Sequence, residues 1–257
     1  MSETTIFKTF RAFSDFERQV RRNRRFVRTS EADDFLAAVK ATLTSRVSRI
    51  SEGRGLWRAQ LGFEWRYDDQ VGDEIPHAFS PARMKPLPDR ASEGRANPAG
   101  IPMLYLCTNK EAAMSEVRPW LGSMVSLGHF KINKDLLIVD CSKGETTRYR
   151  FLIEDPGVEN WEAAVWAEID RAFTRPVTRD DAQTDYLSTQ ILVELFRSEG
   201  FDGIAYRSAF GEKSTNIALF DLDSADVDAC QLHEASSLRF NFRERENPYF
   251  IRKKHSK

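Results

Sequence analysis

The feature of this sequence that most restricts its fold is a cluster of prolines in the first half of the chain. Six of the ten prolines fall between residues 76 and 102. Proline lacks a backbone N–H and has a fixed φ, so this stretch cannot form a long helix or a central strand. We therefore expect a long loop without regular structure, and loops of this length in compact domains are often functional.

Charge is divided unevenly along the chain. The 257 residues include 38 lysines and arginines against 39 aspartates and glutamates, which gives a net charge of −1. Residues 1–50 hold 11 basic and six acidic side chains, so they carry +5 and the remainder carries −6. The near-neutral total argues against broad, non-specific binding to nucleic acid. Phosphate binding in the acidic part must therefore come from a few placed residues.

The sequence shows no clear signal for a membrane span, for secretion, for disulfide bonds or for a metal site. The most apolar short run, at 136–139, is far shorter than the roughly 18–20 residues that a membrane span needs, and the N-terminus lacks the apolar core of a secretory signal. None of the three cysteines has C-x-x-C spacing, and the four histidines are scattered. We expect a cytoplasmic protein without a disulfide framework, a metal or a membrane partner.

The sequence predicts a helical N-terminal extension at residues 1–50, a main domain at 51–230 and a C-terminal tail at 231–257. In the extension, Ser14 with Glu17 forms a capping box, and Ser30 marks a second helix start. After the proline cluster, strands and helices alternate too irregularly for a doubly wound parallel sheet. We expect an α+β fold with a mixed sheet and flanking helices.

Apolar periodicity locates the elements of the main domain. Strands are expected at 103–107, 124–132, 136–141, 203–206 and 216–220, and helices at 160–173 and 185–198. Thr108 and Glu111 have the S/T-x-x-E spacing of a further helix start, and this helix must end before Pro119.

Several common enzyme motifs are absent from the chain. It contains no phosphate-binding G-x-x-x-x-G-K-[ST], no G-x-G-x-x-G, no G-x-S-x-G and no H-E-x-x-H. Cys107 is a conceivable nucleophile, but a cysteine within an apolar strand is more often an inert small hydrophobic residue.

A set of polar side chains beside predicted strand ends suits nucleotide binding. Arg58 and Arg95 can each hold a phosphate in a bidentate fork. Tyr105 can stack on a planar ring while its hydroxyl bonds elsewhere. Glu116 can hydrogen-bond a ribose and stabilise positive charge, and Ser208 follows a strand. Together these residue types suit a nucleotide with a labile glycosidic bond.

Each candidate also has a purely structural interpretation. An arginine beside a strand is commonly part of a surface salt bridge. Tyr105 would be a core tyrosine, Glu116 a solvated helix residue and Ser208 a turn residue. Ser214 is an alternative to Ser208. Asn216 is a candidate polar contact of the same site, with a structural role at least as well supported.

Several segments of the chain resemble the RES domain, a family named after an arginine, a glutamate and a serine. They read GRANPAGIPMLYL at 94–106, AMSEVRP at 113–119, TQIL at 189–192, GFDGIAYRS at 200–208 and NIALF at 216–220. The resemblance covers residues 53–222 and implies an ADP-ribosyltransferase-like fold that binds and degrades NAD. Many members of the family are toxins of bacterial toxin–antitoxin pairs.

The resemblance also implies roles for individual residues. By motif position, Arg58 and Arg95 are the family's two arginines, Tyr105 its tyrosine, Glu116 its glutamate and Ser208 its serine. The expected catalytic residues are Glu116, Arg58 and Ser208. The residues expected to bind NAD are Arg58, Arg95, Tyr105, Glu116, Ser208 and Asn216.

NAD would be the substrate and inorganic phosphate a candidate co-substrate. The extension, together with an insertion around 143–180, makes this chain longer than is common for toxins of the family.

The sequence leaves three functions open. The first is an NAD-consuming enzyme of the toxin type, acting by phosphorolysis or hydrolysis, and the second is an ADP-ribosyltransferase with a protein target. The third is a nucleic-acid-binding regulator that uses the six arginines between residues 18 and 28, although such runs are more often solvated helix faces. Candidate partners are NAD, an antitoxin protein and further copies of the chain, while nucleic acid is disfavoured.

Overall fold

The computed structural model describes residues 6–87, 90–144, 154–175, 183–211, 213–239 and 241–242. In these ranges the strands are β1 (Val47–Ile50), β2 (Gly55–Leu61), β3 (Glu64–Asp68), β4 (Asp73–His77), β5 (Leu104–Cys107), β6 (Met124–Ile132), β7 (Leu136–Asp140), β8 (Gly203–Arg207), β9 (Thr215–Leu219) and β10 (Ala225–Glu234). The α-helices are α1 (Ala12–Arg22), α2 (Ser30–Thr42), α3 (Pro81–Met84), α4 (Lys110–Glu116), α5 (Trp161–Thr174) and α6 (Leu187–Ser198).

Eight of these strands form one mixed sheet in the order β1-β7-β8-β9-β5-β2-β6-β10. Only β7 and β8 run parallel among the described pairs, and they are separated in sequence by α5 and α6. A parallel pair needs a crossover of this kind, whereas the other neighbours are antiparallel. The expected α+β fold with a mixed sheet and flanking helices is confirmed.

The N-terminal helices share a core with the main domain. The rings of Phe16 in α1 and Phe35 in α2 stack with centroids 4.6 Å apart, and both belong to the cluster that contains Trp166 of α5 and Phe196 of α6. Truncating a buried aromatic side chain of this kind to alanine typically costs about 3–5 kcal/mol. The helical extension therefore contributes to the stability of the sheet's helical layer.

The caps of these two helices differ from the prediction, although α2 begins at Ser30 as expected. Helix α1 begins at Ala12, so Ser14 lies inside its first turn. Helix α2 is capped by Thr29, whose hydroxyl accepts a hydrogen bond from the backbone N–H of Ala32 at 3.3 Å. A cap needs extended backbone, which Thr29 has and the helical Ser30 does not.

The proline-rich stretch contains more regular structure than expected. Pro76 lies in β4, which pairs only with β3 in the described part of the chain, and Pro81 begins α3. The prediction of an unbroken loop is therefore wrong. Both positions are ones that tolerate proline, because a two-stranded ribbon leaves one edge unpaired and the first helical residue needs no N–H partner.

Two expectations fall partly outside the described residues. Of the insertion around 143–180, residues 145–153 and 176–180 are not described. Of the expected tail at 231–257, residue 240 and residues 243–257 are not described. Strand β10 continues through residue 230 to Glu234. No helix in the described ranges is long and apolar enough to cross a membrane.

Candidate active site

A cavity of about 240 Å³ opens between α4 and the strands β2, β5, β8 and β9. It is lined by Trp57, Arg58, Ala59, Gly94, Arg95, Tyr105, Leu106, Cys107, Ala113, Glu116, Val117, Tyr206 and Asn216. Five of the six residues expected to bind NAD are in this lining. The sixth, Ser208, contacts one of them.

Arg58 occupies a gap in the sheet. Strands β2 and β5 share a single register pair, Trp57 with Cys107. Next to this pair, the Arg58 side chain donates from Nη1 to the carbonyl of Tyr105 at 3.1 Å and from Nε to the carbonyl of Met84 at 2.9 Å. Arg58 therefore lies within β2 and not at a strand end as expected, and its side chain bonds to β5 where the two strands share no further backbone pair.

The guanidinium of Arg58 has no counter-ion in the described residues. Its acceptors are two neutral carbonyls, and no described carboxylate lies within ion-pair distance. Burial lowers the pKa of Arg58 to about 10. A desolvated cation with spare donors favours an anion in the cavity, since burial of an unpaired charge is costly.

Arg95 is carried by a loop that α6 holds in place. Thr189 donates its hydroxyl to the Arg95 carbonyl at 2.7 Å, and Gln190 donates to the carbonyls of Gly94 at 2.9 Å and Asn97 at 3.0 Å. The Arg95 guanidinium lies over the ring of Tyr186, 5.8 Å from its centroid. No described carboxylate pairs with this arginine either.

The Tyr105 hydroxyl is used within the protein. It donates to Asn97 Oδ1 at 2.6 Å and accepts from the Ala96 N–H at 3.0 Å, and burial raises the pKa of this phenol. A Cβ at Gly94 would lie 2.7 Å from this hydroxyl, so only glycine fits there. Tyr105 therefore stabilises the loop that carries Arg95. Because its hydroxyl already has two partners in the protein, its ring is the part available to contact a ligand.

Glu116 stands at the end of α4 because local signals stop the helix there. The cap at its start is Asn109, which accepts from the Ala112 N–H at 2.8 Å, whereas the predicted cap Thr108 uses its hydroxyl to accept from the Thr215 N–H at 3.0 Å. After Glu116, Arg118 adopts a left-handed φ of 49° and Pro119 follows. The carboxylate is thereby placed at the exposed mouth of the cavity.

Two buried side chains hold the Glu116 carboxylate. Ser208 donates its hydroxyl to Oε1 at 2.8 Å, and Asn216 donates its amide to the same oxygen at 2.6 Å. The Ser208 hydroxyl in turn accepts from the Phe210 N–H at 3.0 Å, which orients its proton towards Glu116. The alternative serine, Ser214, accepts from the Ser208 N–H through its backbone carbonyl.

Several residues that organise the site were not singled out from the sequence. Asn97, Thr189 and Gln190 are all buried, and together they fix the loop that carries Arg95. Asn97 and the Thr189-Gln190 pair lie within the segments that resemble the RES domain, and this position is the sequence signal that could have identified them. Cys107 lines the cavity, but burial raises the pKa of its thiol.

The arrangement combines an anchored carboxylate with two guanidinium groups that pair with no carboxylate in the described part of the chain. It can bind an anionic group at Arg58 and Arg95 and stabilise a developing positive charge at Glu116. Among the described residues there is no group of three or more histidine, cysteine or acidic side chains placed to hold a metal ion.

Comparison with known proteins agrees with these motifs. The model of the RES domain family matches residues 56–243 of the chain. One solved structure to which the chain is similar is the M. tuberculosis MbcT–MbcA toxin–antitoxin complex, with 14% sequence identity and a TM-score of 0.39 over 76% of this chain and 91% of that one. No curated protein sequence matches significantly. On the family match, which spans most of its length, the chain belongs to the RES domain family.

Proposed function

We propose that this protein is an NAD-consuming enzyme that cleaves the bond between nicotinamide and ribose. The observation that carries the proposal is the Glu116 carboxylate, anchored by Ser208 and Asn216 at the mouth of a cavity that also contains Arg58 and Arg95. The family's association with NAD supports the same substrate, and a toxin-type role restrained by an antitoxin belongs to the proposal.

The chemistry needs only one carboxylate. When the C1′–N bond of the nicotinamide ribose breaks, the electron pair passes to the cationic nicotinamide ring, which leaves as a neutral molecule without a proton donor. The ribose becomes an oxocarbenium-like cation, as in other glycoside cleavage. The Glu116 carboxylate accepts hydrogen bonds from the ribose hydroxyls and stabilises this charge. A phosphate oxygen then adds to C1′ through its own electron pair, or water adds and loses a proton to solvent, which completes the reaction.

Arg58 and Arg95 hold phosphate oxygens, either of NAD or of inorganic phosphate as the acceptor. The cavity of about 240 Å³ is smaller than the roughly 300–1,000 Å³ that are usual for whole small-molecule sites. It therefore takes the nicotinamide ribose and a neighbouring phosphate group, and the adenosine end of the dinucleotide extends outward. The Tyr105 ring packs on the nicotinamide or its ribose. Ser208 and Asn216 position the carboxylate.

The test is to incubate the purified protein with NAD, with and without phosphate, and to identify the products. ADP-ribose phosphate means phosphorolysis, ADP-ribose means hydrolysis, and label on a protein means transfer. Glu116→Gln should abolish NAD loss in a folded protein. Glu111→Gln changes an exposed carboxylate at the start of the same helix and is the matched control, which should consume NAD at the parental rate. Parental activity in folded Glu116→Gln would refute the assignment.

The exposed position of Glu116 also keeps protein ADP-ribosylation as a second candidate, because a protein acceptor can approach an open mouth. The regulator that uses the arginine run is less well supported. Arg18, Arg21 and Arg28 pair with carboxylates of this chain, which reduces the charge available to nucleic acid.

A further inference from the structure

We propose that Arg21, in the N-terminal extension, is a positioning residue for NAD binding at Arg95. This inference rests on the proposed function and adds to it a contribution from residues outside the family match, which begins at residue 56. The extension would then contact the turn that supports Arg95, in addition to packing against α5 and α6.

The first link is an ion pair between distant parts of the chain. Arg21 Nη2 contacts Asp185 Oδ1, 164 residues away, in the short 3₁₀ turn that precedes α6. The two side chains are only 29% and 12% exposed. Glu17, one turn earlier in α1, lies 3.7 Å from Arg21 and steadies the guanidinium from the other side. A partly desolvated pair of this kind holds its partners more rigidly than an exposed one.

The second link joins the turn to Arg95. Tyr186 follows Asp185 directly, and its ring lies under the Arg95 guanidinium. Thr189 donates its hydroxyl to the carbonyls of both Tyr186, at 2.9 Å, and Arg95, at 2.7 Å. A shift of the turn would therefore displace both the Tyr186 ring that contacts the Arg95 guanidinium and the Thr189 hydroxyl that bonds to the Arg95 carbonyl.

Arg21 is itself fixed by the packing of α1. Phe13, Phe16 and Val20 point from this helix into the core and are almost fully buried. Arg18, one turn before Arg21, makes instead an exposed pair with Asp15 on the same helix. The two arginines thus share a helix, but only Arg21 contacts the turn before α6, which provides a matched comparison.

The test compares Arg21→Gln and Asp185→Asn with the control Arg18→Gln. Both site-linked variants should raise KM for NAD about three- to tenfold and leave kcat within about twofold, because coupling through an intermediate contact usually lies in this range and Glu116 is untouched. The double variant should be no worse than either single one, since both remove the same pair. Arg21→Lys, which keeps the charge, should recover part of the affinity.

The outcomes separate this inference from the proposed function. If the parent consumes NAD and Arg21→Gln matches Arg18→Gln in KM, the link is refuted while the enzyme assignment stands. If kcat and the thermal midpoint fall with KM unchanged, Arg21 is only structural and the inference is likewise overturned. If the parent consumes no NAD, the affinity for inorganic pyrophosphate, measured by calorimetry, tests the same contact between Arg21 and the turn. Weaker binding in Arg21→Gln than in Arg18→Gln would support the inference. Equal binding in the two variants, or no binding at all, would overturn it.

Discussion

The side-chain amide of Asn216 in β9 lies 2.6 Å from Oε1 of Glu116 at the end of α4. These residues are 100 positions apart in sequence, and the contact connects the helix to the sheet across the mouth of the cavity. Ser208 shares the same carboxylate oxygen. One oxygen of Glu116 is therefore engaged by the protein, and Oε2 has no partner among the described residues, so we propose that Oε2 is the oxygen that faces the substrate.

Replacing Asn216 should damage catalysis more than binding. Asn216→Ala removes one of two donors and lets the carboxylate rotate, so we expect kcat to fall about 10- to 100-fold, as for other small misplacements of a reacting group. Asn216→Asp should lower kcat further at neutral pH, because it removes the donor and sets a like charge against the Glu116 carboxylate.

Steady-state NAD consumption measures both effects. Asn133→Ala, which removes exposed hydrogen bonds to Asp226 and to the Asp223 carbonyl, is the control and should behave like the parent. A kcat for Asn216→Ala equal to the parental value would mean that Ser208 alone positions Glu116.

The elements with clear apolar periodicity could be predicted from the sequence. Strand β6 has the bounds that its pattern indicated, and β8, α5 and α6 lie within one or two residues of the expected positions. Helix starts were less predictable because adjacent residues compete for the cap. Thr108 and Asn109 can both fill this position, and the choice depends on Thr215, which is more than a hundred residues away.

The site residues were predictable by type but not by contact. Neither alternation nor spacing could show that β2 and β5 pair at one point and that Arg58 fills the gap. Nor could they show that the Tyr105 hydroxyl forms its hydrogen bonds with the loop that carries Arg95. These contacts join parts of the chain that meet only in the folded sheet, so local sequence carries no signal for them.

The Tyr105 hydroxyl should matter for stability more than for chemistry. Tyr105→Phe keeps the ring but leaves Asn97 Oδ1 and the Ala96 N–H without this partner in a buried loop, which should cost about 1–3 kcal/mol of unfolding free energy. Denaturant unfolding measures it, with the exposed Tyr67→Phe as the control. Unchanged stability together with lost NAD consumption would show that the hydroxyl acts on the substrate.

Cys107 should be dispensable although it lines the cavity. Burial raises the pKa of its thiol, so the thiolate is scarcer at neutral pH than that of an exposed cysteine. We expect Cys107→Ala to consume NAD within about twofold of the parental rate, since the substitution removes one small buried atom. Loss of turnover in the folded variant, with Cys230→Ala as the control, would instead indicate a nucleophilic role.

An anion in the cavity should stabilise the protein through Arg58. The depressed pKa of this guanidinium, about 10, reflects burial without a described counter-ion. Inorganic phosphate should therefore raise the thermal midpoint, by an amount equivalent to about 1.4 kcal/mol at roughly ten times its Kd. Arg58→Gln should lose this response, while Arg54→Gln, an exposed arginine just before β2, should keep it.

The pH dependence of this stabilisation has a definite sign. In the folded state without anion, Arg58 is protonated below about pH 10 and loses its charge as the pH rises through that value. The burial penalty on the cation is thus fully present below about pH 10 and is relieved progressively as the pH rises from there towards the ordinary arginine pKa, and the benefit of phosphate declines with the charge of the folded-state guanidinium. The phosphate-induced shift of the thermal midpoint, measured at matched ionic strength, should be constant between about pH 8 and about pH 9, where inorganic phosphate is almost wholly the dianion, and should then decline. A shift that persists unchanged in Arg58→Gln would place the phosphate elsewhere.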